Sequence, residues 1–267
     1  MPFHLSSGGS MKVFESIRNP EIQALRKLAK ARERRESGRY LVEGPRMAEE
    51  ALASGVLEAV YLSRDTERNT AVARAAEDAG IGVAAVSDAV MESLCETKTP
   101  QGIICLCRIV QDNALPSGNL ILAMDAVQNP GNVGTMIRTA DAAGFSGCIL
   151  GAGCADLYGP KTLAAAMGSV FHVRIAVVQN LADCLAKYRA ENYAVIASEL
   201  GGADFYDGCP SGPAVLVIGN EGNGISEAVS AAATHHLKLP MRGGAESLNA
   251  SVAAGIMIYE MARRDRP

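Results

Sequence analysis

Three glycine-rich loops in the second half of the 267-residue sequence contain the side chains best suited to chemistry. The first loop opens a helical pattern and contributes Asn132 and, further along that pattern, Arg138. The second follows an apolar run and contributes Glu221, and the third contributes Ser247 and Asn249 ahead of the last helical pattern. Glycine-rich turns expose backbone N–H and C=O groups, and the polar side chains beside them can hydrogen-bond a ligand. The sequence therefore predicts a binding or catalytic site built from these loops.

The stretch from Leu237 to Met257 is the most informative of the three. An alternation of apolar and polar residues predicts a strand that ends at Pro240, and Ser247 is suited to the N-cap of the following helix. The apolar residues behind this cap recur at the spacing of a buried helix face, namely Leu248, Val252, Ile256 and Tyr259. A structural strand–turn–helix unit explains these apolar residues but not the crowding of Ser247, Asn249 and Ser251.

The other two loops have functional and structural interpretations. Asn132 stands at the start of a predicted helix, where its amide and the free backbone N–H groups could hold a phosphate; simple helix capping is the alternative. Glu221 lies in a polar loop that offers a structural carboxylate little to pair with, so we expect it to orient Arg138 or the substrate. Arg138 should project toward the ligand loops and away from the apolar face of its helix, which comprises Val133, Ile137 and Ala140.

Together the three loops resemble the motifs of the SpoU (TrmH) family of RNA ribose 2'-O-methyltransferases, part of the SPOUT superfamily. The motifs occur in the family's order as residues 129–134 with Arg138 and Ala140, 218–222 with Gly224, and 239–241 with Gly243, 247–249 and Ser251. The resemblance covers about residues 118–267. It implies an α/β fold in which the C-terminal domain has a mostly parallel sheet and a deep trefoil knot.

The resemblance also implies a cofactor, S-adenosyl-L-methionine. Gly219, Leu239 and Leu248 would line the pocket for its adenosine and methionine parts, and Ile218 and Met241 would pack on the adenine. Such a cofactor supplies the reactive methyl group, and the protein supplies positioning.

The family assigns removal of the ribose hydroxyl proton to the motif-one arginine, here Arg138. Because an arginine is almost always charged, two roles stay open: a proton acceptor in an unusual environment, or an electrostatic clamp on a phosphate and the developing oxyanion. Asn132, Glu221, Ser247 and Asn249 carry over as the other active-site residues, with helix capping as the alternative for Ser247.

A homodimer is also implied, since in knotted relatives the last helix packs against its twin and an arginine-bearing loop completes the neighbouring site. The last helix has more apolar residues than one core face needs, namely Ala250, Ala254, Met257, Ile258 and Met261. One departure concerns residues 162–167, TLAAAM, where many relatives carry an arginine followed by a serine. This loss bears on the RNA contacts near Lys161 and not on catalysis.

The elements in front predict a smaller N-terminal domain, residues 11–109. A helical pattern begins at 19–20 and a short strand follows at 40–42. Helices at 45–53, 66–79 and 88–94 then alternate with strands at 59–62, 83–86 and 102–107, which predicts an α/β/α sandwich. The segment 16–52 resembles the substrate-binding domain of the rRNA-modifying branch of the SpoU family, which shares its fold with small RNA-binding ribosomal proteins. Residues 110–118 are polar, contain Pro116 and Gly118, and are interpreted as the linker.

After the linker, apolar strands are predicted at 120–124, 147–151, 172–178, 193–198, 214–218 and 235–239. Near-continuous apolar strands predict a mostly parallel sheet covered on both faces. Such a sheet also suits a dinucleotide-binding oxidoreductase, and Gly151 and Gly153 could begin its glycine fingerprint. Asp156 stands at the third glycine position, and no ribose-binding acid follows at the expected spacing, so this alternative is disfavoured.

The formal net charge of -4 argues against nucleic-acid binding, but the charge is unevenly distributed. Nine basic residues against four acidic ones fall between Arg18 and Arg46. We expect Arg32, Arg34 and Arg35 to contact RNA together with Lys161; a merely solvated helix face is the alternative for the basic segment.

The remaining sequence features concern the cellular location and the state of the cysteines. The opening decapeptide is small and polar and is interpreted as a cloning remnant, and no apolar run reaches the ~20 residues of a membrane span, so we expect a cytoplasmic protein without membrane contact. Seven cysteines without CxxC pairs predict reduced thiols and no metal site.

Three functions therefore compete. The favoured one is ribose 2'-O-methylation of structured RNA, with rRNA of the 23S type favoured over tRNA because of the N-terminal domain. An RNA-binding ribosome-assembly factor that lacks catalysis is the second. It is weakened because the five candidate catalytic residues are all present. A nucleotide-dependent oxidoreductase is the third.

Overall fold

The computed structural model describes residues 12–110 and 114–265. The predicted cloning remnant and part of the predicted linker lie outside these residues. The chain forms two compact units: the first comprises the described residues up to 110 with Tyr158–Pro160, and the second comprises 114–157 with the described residues from 161 onward.

The first unit is a five-stranded mixed sheet with helices on both faces. Its sheet has the order β1-β4-β3-β5-β2; β1 and β3 run parallel to β4, whereas β5 pairs antiparallel with β2 and β3. The elements are β1 (Lys12–Phe14), α1 (Pro20–Lys27), α2 (Ala31–Ser37), β2 (Arg39–Glu43), α3 (Pro45–Ala53), β3 (Leu57–Leu62), α4 (Glu67–Asp78), β4 (Gly82–Val86), α5 (Asp88–Leu94) and β5 (Ile103–Arg108).

The predicted helices of this unit are confirmed, and their ends follow from local chemistry. Thr66 caps α4 by accepting the Asn69 N–H, and Ser87 caps α5 in the same way at Val90. Two elements were not predicted from the sequence, the edge strand β1 and the short helix α2. The helix α2 has few apolar residues and therefore no clear period, and it ends where Gly38 adopts a left-handed conformation, φ 66°.

The second unit is a six-stranded sheet in which every neighbouring pair is parallel, in the order β11-β9-β10-β6-β7-β8. Its elements are β6 (Leu120–Met124), α6 (Pro130–Ala142), β7 (Gly147–Leu150), α7 (Pro160–Ala166), a 3-10 turn (Ser169–Phe171), β8 (Arg174–Val177), α8 (Leu181–Ala190), β9 (Ala194–Asp204), α9 (Phe205–Gly208), β10 (Ala214–Ile218), α10 (Glu227–Ala232), β11 (His235–Lys238) and α11 (Ala250–Arg264). The predicted parallel sheet is confirmed, and the predicted trefoil knot stays a prediction.

Burial explains why the strands lie at the centre of this unit. All residues of β6 and β10 are buried, as expected for strands with helices over both faces. Helices α8 and α10 pack over one part of the core, and α6 packs against α11. Because the strands are parallel, the loops that follow β9, β10 and β6 leave the same edge of the sheet, which is where such folds bind ligands.

Helix α11 differs from its prediction in two ways. Its N-cap is Asn249, whose Oδ1 accepts the N–H groups of Ser251 and Val252, so the predicted cap at Ser247 is wrong. Its buried residues are Ala254, Met257, Ile258 and Met261, whereas the face predicted to be buried is exposed, with Leu248 39%, Val252 50%, Ile256 37% and Tyr259 54% accessible. A helix with two apolar stripes has no sequence signal that says which one meets the core.

Helix α6 is also capped one turn earlier than predicted. Asn129 is the N-cap, and its Oδ1 accepts hydrogen bonds from the backbone N–H groups of Gly131 and Asn132 at 2.8 and 3.3 Å. Pro130 occupies the first helical position, where it has no N–H to satisfy. Asn132 is therefore free of capping and its side chain is available for other contacts.

Candidate functional site

A chain of side-chain hydrogen bonds joins the three predicted loops. Nδ2 of Asn132 donates to Oε1 of Glu221 at 2.9 Å, and Nδ2 of Asn249 donates to Oδ1 of Asn132 at 3.1 Å. Asn132 is buried, and its amide has one donor and one acceptor matched to different partners. The structure thus brings Asn132, Glu221 and Asn249 together although they are 89 and 117 residues apart in sequence.

Glu221 is further held by the backbone just before α6. Its carboxylate accepts hydrogen bonds from the N–H groups of Gln128 and Asn129, both at 3.2 Å. Burial by itself raises the pKa of Glu221, but the hydrogen bonds from Asn132 and these N–H groups outweigh it and hold the pKa below its ordinary value of 4.5. Glu221 is therefore ionised at neutral pH and ties the loop after β10 to the loop after β6.

The predicted phosphate site at Asn132 is wrong. The backbone N–H groups of Gly131 and Asn132 are occupied by the Asn129 side chain, and Asn132 donates to a carboxylate, which would repel a phosphate. Asn132 instead connects the three loops.

The loop after β10 is a tight turn closed on itself. Asn220 and Gly224 exchange backbone hydrogen bonds at 2.8 and 2.9 Å, and Oδ1 of Asn220 accepts the N–H groups of Gly222 and Asn223. A Cβ atom on Gly219 would collide with the Gly224 backbone, so only glycine fits there. Nδ2 of Asn220 also donates to the Ala126 carbonyl at 2.8 Å, which fixes the turn against the loop after β6.

A cleft of about 490 Å³ opens beside this network. It contains all five predicted cofactor residues and three predicted catalytic residues, with lining side chains and backbone from Ser198, Glu199, Leu200, Ile218, Gly219, Asn220, Glu221, Gly222, Asn223, Gly224, Ile225, Lys238, Leu239, Met241, Ser247, Leu248, Asn249, Ala250 and Ala253. Its volume lies in the range of roughly 300–1,000 Å³ typical of ligand pockets. Apolar side chains suit an adenine, and the glycine turn suits close approach of its edge to backbone groups.

Two predicted catalytic residues do not line this cleft. Asn132 lies behind Glu221 in the hydrogen-bond chain, and Arg138 is exposed on α6. The buried residues Val133, Ile137 and Ala140 do lie on another face of α6, as predicted. Among the described residues Arg138 has no hydrogen-bond or ion-pair partner, so its guanidinium is available to a ligand or a second chain.

The predicted RNA contacts differ among themselves. Arg34 is buried and donates to the carbonyls of Leu28 and Ala29 at 2.6 and 3.0 Å, where α1 ends, so its assignment to RNA is wrong. Arg32 is exposed but paired with Glu36 at 2.6 Å. Arg35 and Lys161 are both exposed, and each remains a candidate RNA contact in its own unit.

The contribution of β9 to the cleft was not predicted from the sequence. Ser198, Glu199 and Leu200 line it, and Nδ1 of His236 on β11 lies 2.9 Å from Oε2 of Glu199. Leu200 is 71% exposed, which is unusual for an apolar residue within a strand. A Glu-Leu-Gly-Gly run at the end of an apolar strand was the available signal, because glycines there indicate a departure from regular pairing.

Comparison with known proteins identifies the family. Residues 119–259 match the model of the SpoU rRNA methylase family, and residues 19–105 match that of the MRM3-like substrate binding domain. The chain belongs to the SpoU rRNA methylase family. The prediction made from the three loops is therefore confirmed, and a methyltransferase is favoured over the non-catalytic assembly factor and the oxidoreductase.

Individual relatives are similar to this protein in sequence or structure along almost the whole chain. The 23S rRNA (guanosine(2553)-2'-O)-methyltransferase RlmP of Bacillus subtilis is 36% identical over 94% of this chain and 99% of its own length. An rRNA methyltransferase from Sinorhizobium meliloti has a TM-score of 0.86 at 31% identity, covering 96% of this chain and 98% of that one. A structure described as the AdoMet-bound rRNA methyltransferase from the same organism has the same TM-score at 32% identity, with the same coverage.

Proposed function

We propose that this SpoU protein transfers a methyl group from S-adenosyl-L-methionine to a ribose 2'-hydroxyl of structured RNA, with rRNA as the substrate class. The observation that carries this proposal is that the second and third family motifs line one cleft, and that Asn132 of the first motif is joined to them by hydrogen bonds to Glu221 and Asn249. Relatives with rRNA methyltransferase names over nearly the full chain support the substrate class.

The cleft residues would hold the cofactor, which when bound supplies an electrophilic methyl group. Ile218, Leu239, Met241 and Leu248 offer apolar contact, and the turn at Gly219 offers backbone groups. The ionised Glu221 contributes negative charge, which favours a cationic ligand. Ser247 lines the cleft without capping α11, so its hydroxyl is available for a ligand.

Arg138 would act on the ribose hydroxyl, either by accepting its proton or by stabilising the oxyanion as the proton leaves. It lies outside the lining of the cleft in its own chain, and therefore we propose that it serves the cleft of a second copy. Thr139, the next residue on α6, lies beside Gly255 of α11, since a Cβ there would be 3.8 Å from Thr139 Cγ2. Arg138 thus belongs to a helix that packs against α11, the helix that carries the exposed apolar face.

We propose that this face, comprising Val252, Ile256 and Tyr259, is the centre of a homodimer. Most of the residues that the sequence suggested for dimerisation are instead buried in the core, namely Ala254, Met257, Ile258 and Met261. An Ile256→Asp variant should be monomeric by light scattering, keep cofactor binding and lose methylation. A dimeric, active Ile256→Asp variant would contradict both the interface and the shared site.

We assign RNA binding to the N-terminal domain, residues 11–109, and catalysis to residues 118–267. The exposed cations of α1 and its flanking segments support this assignment, because several have no partner among the described residues: Arg18, Arg26, Lys27, Lys30 and Arg35.

No helix in the described ranges is long and apolar enough to cross a membrane. A cytoplasmic setting is proposed because all seven cysteines are free thiols.

The test is methylation with radiolabelled S-adenosylmethionine of protein-free rRNA and of tRNA, followed by alkaline hydrolysis. A 2'-O-methyl group blocks cleavage of the neighbouring phosphodiester, so label in alkali-resistant dinucleotides identifies ribose methylation. Arg138→Ala should lose this label, and Arg189→Ala, an exposed arginine on α8, is the matched control that should keep it. Label in mononucleotides would instead indicate base methylation and refute the proposal.

A further inference from the structure

Two charged residues of the cleft lie outside the three family motifs. Glu199 belongs to β9 and Lys238 to β11, and these strands are neighbours in the sheet. Glu221 is the other charged residue among those lining the cleft, and its carboxylate is already held by Asn132 and two backbone N–H groups. One carboxylate and one ammonium therefore remain for a ligand.

These two groups form no ion pair with each other among the described residues. Oε2 of Glu199 is 2.9 Å from Nδ1 of His236, which orients the carboxylate and leaves its Oε1 without a hydrogen bond in the described part of the chain. Lys238 is exposed and, within the same residues, has no hydrogen-bond or ion-pair partner. The side chain of Glu199 is 25% exposed, so its charge is only partly screened by solvent.

We propose that Glu199 and Lys238 bind the amino-acid end of the cofactor, with Glu199 accepting from the α-ammonium and Lys238 donating to the α-carboxylate. This inference rests on the proposed function, since it assigns a subsite within the same cleft. A zwitterion needs one partner of each sign a short distance apart, and hydrogen bonds between charged groups are the strong ones. The apolar side chains and the glycine turn of the cleft then remain for the nucleoside.

The obvious alternative is that Glu199 accepts hydrogen bonds from the ribose hydroxyls of the cofactor, as acidic residues do in dinucleotide-binding folds. The two assignments differ in which part of the ligand they need. S-adenosylhomocysteine and 5'-methylthioadenosine share the nucleoside, but only the former carries the amino acid.

The experiment is calorimetric titration of full-length wild type, Glu199→Gln and Lys238→Met with both ligands. Glu199→Gln should weaken S-adenosylhomocysteine roughly tenfold, and Lys238→Met by a few-fold because that ammonium is more exposed. Both variants should bind 5'-methylthioadenosine within about twofold of wild type. Lys187→Met, an exposed lysine on α8 away from the cleft, is the matched control and should change neither affinity.

Each outcome has one meaning. Equal weakening of both ligands by Glu199→Gln would favour the ribose and overturn the proposal, as would unchanged binding of S-adenosylhomocysteine by both variants. If wild type bound neither ligand, the proposed function would fail as well. Circular dichroism of each variant checks that the sheet is retained, so that a general loss of folding is not mistaken for loss of a contact.

Discussion

The hydrogen-bond chain through Asn132 makes a quantitative prediction about stability. Asn132→Ala removes one hydrogen bond to the ionised Glu221 and one to the neutral Asn249. A bond to a charged group contributes about 1.5–3 kcal/mol and a neutral one about 0.5–1.5 kcal/mol. Because Glu221 is exposed and water can replace part of the lost contact, we expect a loss of about 2 kcal/mol in the free energy of unfolding of the C-terminal unit.

Such a loss should lower the melting temperature, measured by circular dichroism, by about 4–8 °C. Asn132→Asp is the sharper variant, because it keeps the shape of the side chain but replaces the donor with a carboxylate beside Glu221. It should destabilise the protein at least as much as Asn132→Ala at pH 7, and less as the pH falls and the added carboxylate is protonated. S-adenosylmethionine affinity should fall in both variants because Glu221 and Asn249 line the cleft.

A double-mutant cycle decides whether the chain acts as a unit. Asn249→Ala alone also removes the N-cap of α11, which costs about 1 kcal/mol. The double variant should nevertheless be less destabilised than the sum of the single ones, by about 0.5–1.5 kcal/mol, since both single changes break the same hydrogen bond. Additive losses, with no change in cofactor affinity, would refute the reasoning.

Three further predictions concern catalysis, pH and RNA. Arg138→Ala should reduce turnover by roughly 10² to 10⁴ while cofactor affinity stays within a few-fold, and Arg138→Lys should restore little because an ammonium lacks the planar fork; normal turnover of the alanine variant would exclude the role. Because folding lowers the pKa of Glu221, its ionised carboxylate stabilises the folded protein fully above pH 4.5, and this stabilisation is lost as the pH falls through the lowered pKa. The difference in unfolding free energy between wild type and Glu221→Gln should therefore shrink only below pH 4.5. A difference that does not depend on pH would contradict this. Replacing Lys27 and Lys30 by Gln should weaken RNA binding and reduce the slope of log affinity against log salt concentration by about one unit per lost phosphate contact. Arg74→Gln on α4 is the control and should change neither. Equal slopes in filter-binding assays would show that the basic segment is only a solvated face.

Local chemistry in the sequence determined most of the fold. The strands at 120–124 and 214–218 and the helices at 45–53 and 88–94 have the predicted bounds, because apolar period, capping residues and Pro or Gly act over a few neighbouring positions. The family was likewise identified from residues close together in sequence, since the glycine turn at Gly219 and the Asn-Pro cap at 129–130 are local backbone requirements.

Where the sequence offered two equivalent alternatives, only the tertiary structure decided between them. Ser247 and Asn249 are both good N-caps, and in the fold it is Asn249 that caps α11, with its amide also donating to Asn132 in the first turn of α6. Arg34 looked like its neighbours in a basic run, yet it is buried against the end of α1. The two apolar stripes of α11 were indistinguishable in sequence, because periodicity reports that a face is apolar and not what packs against it.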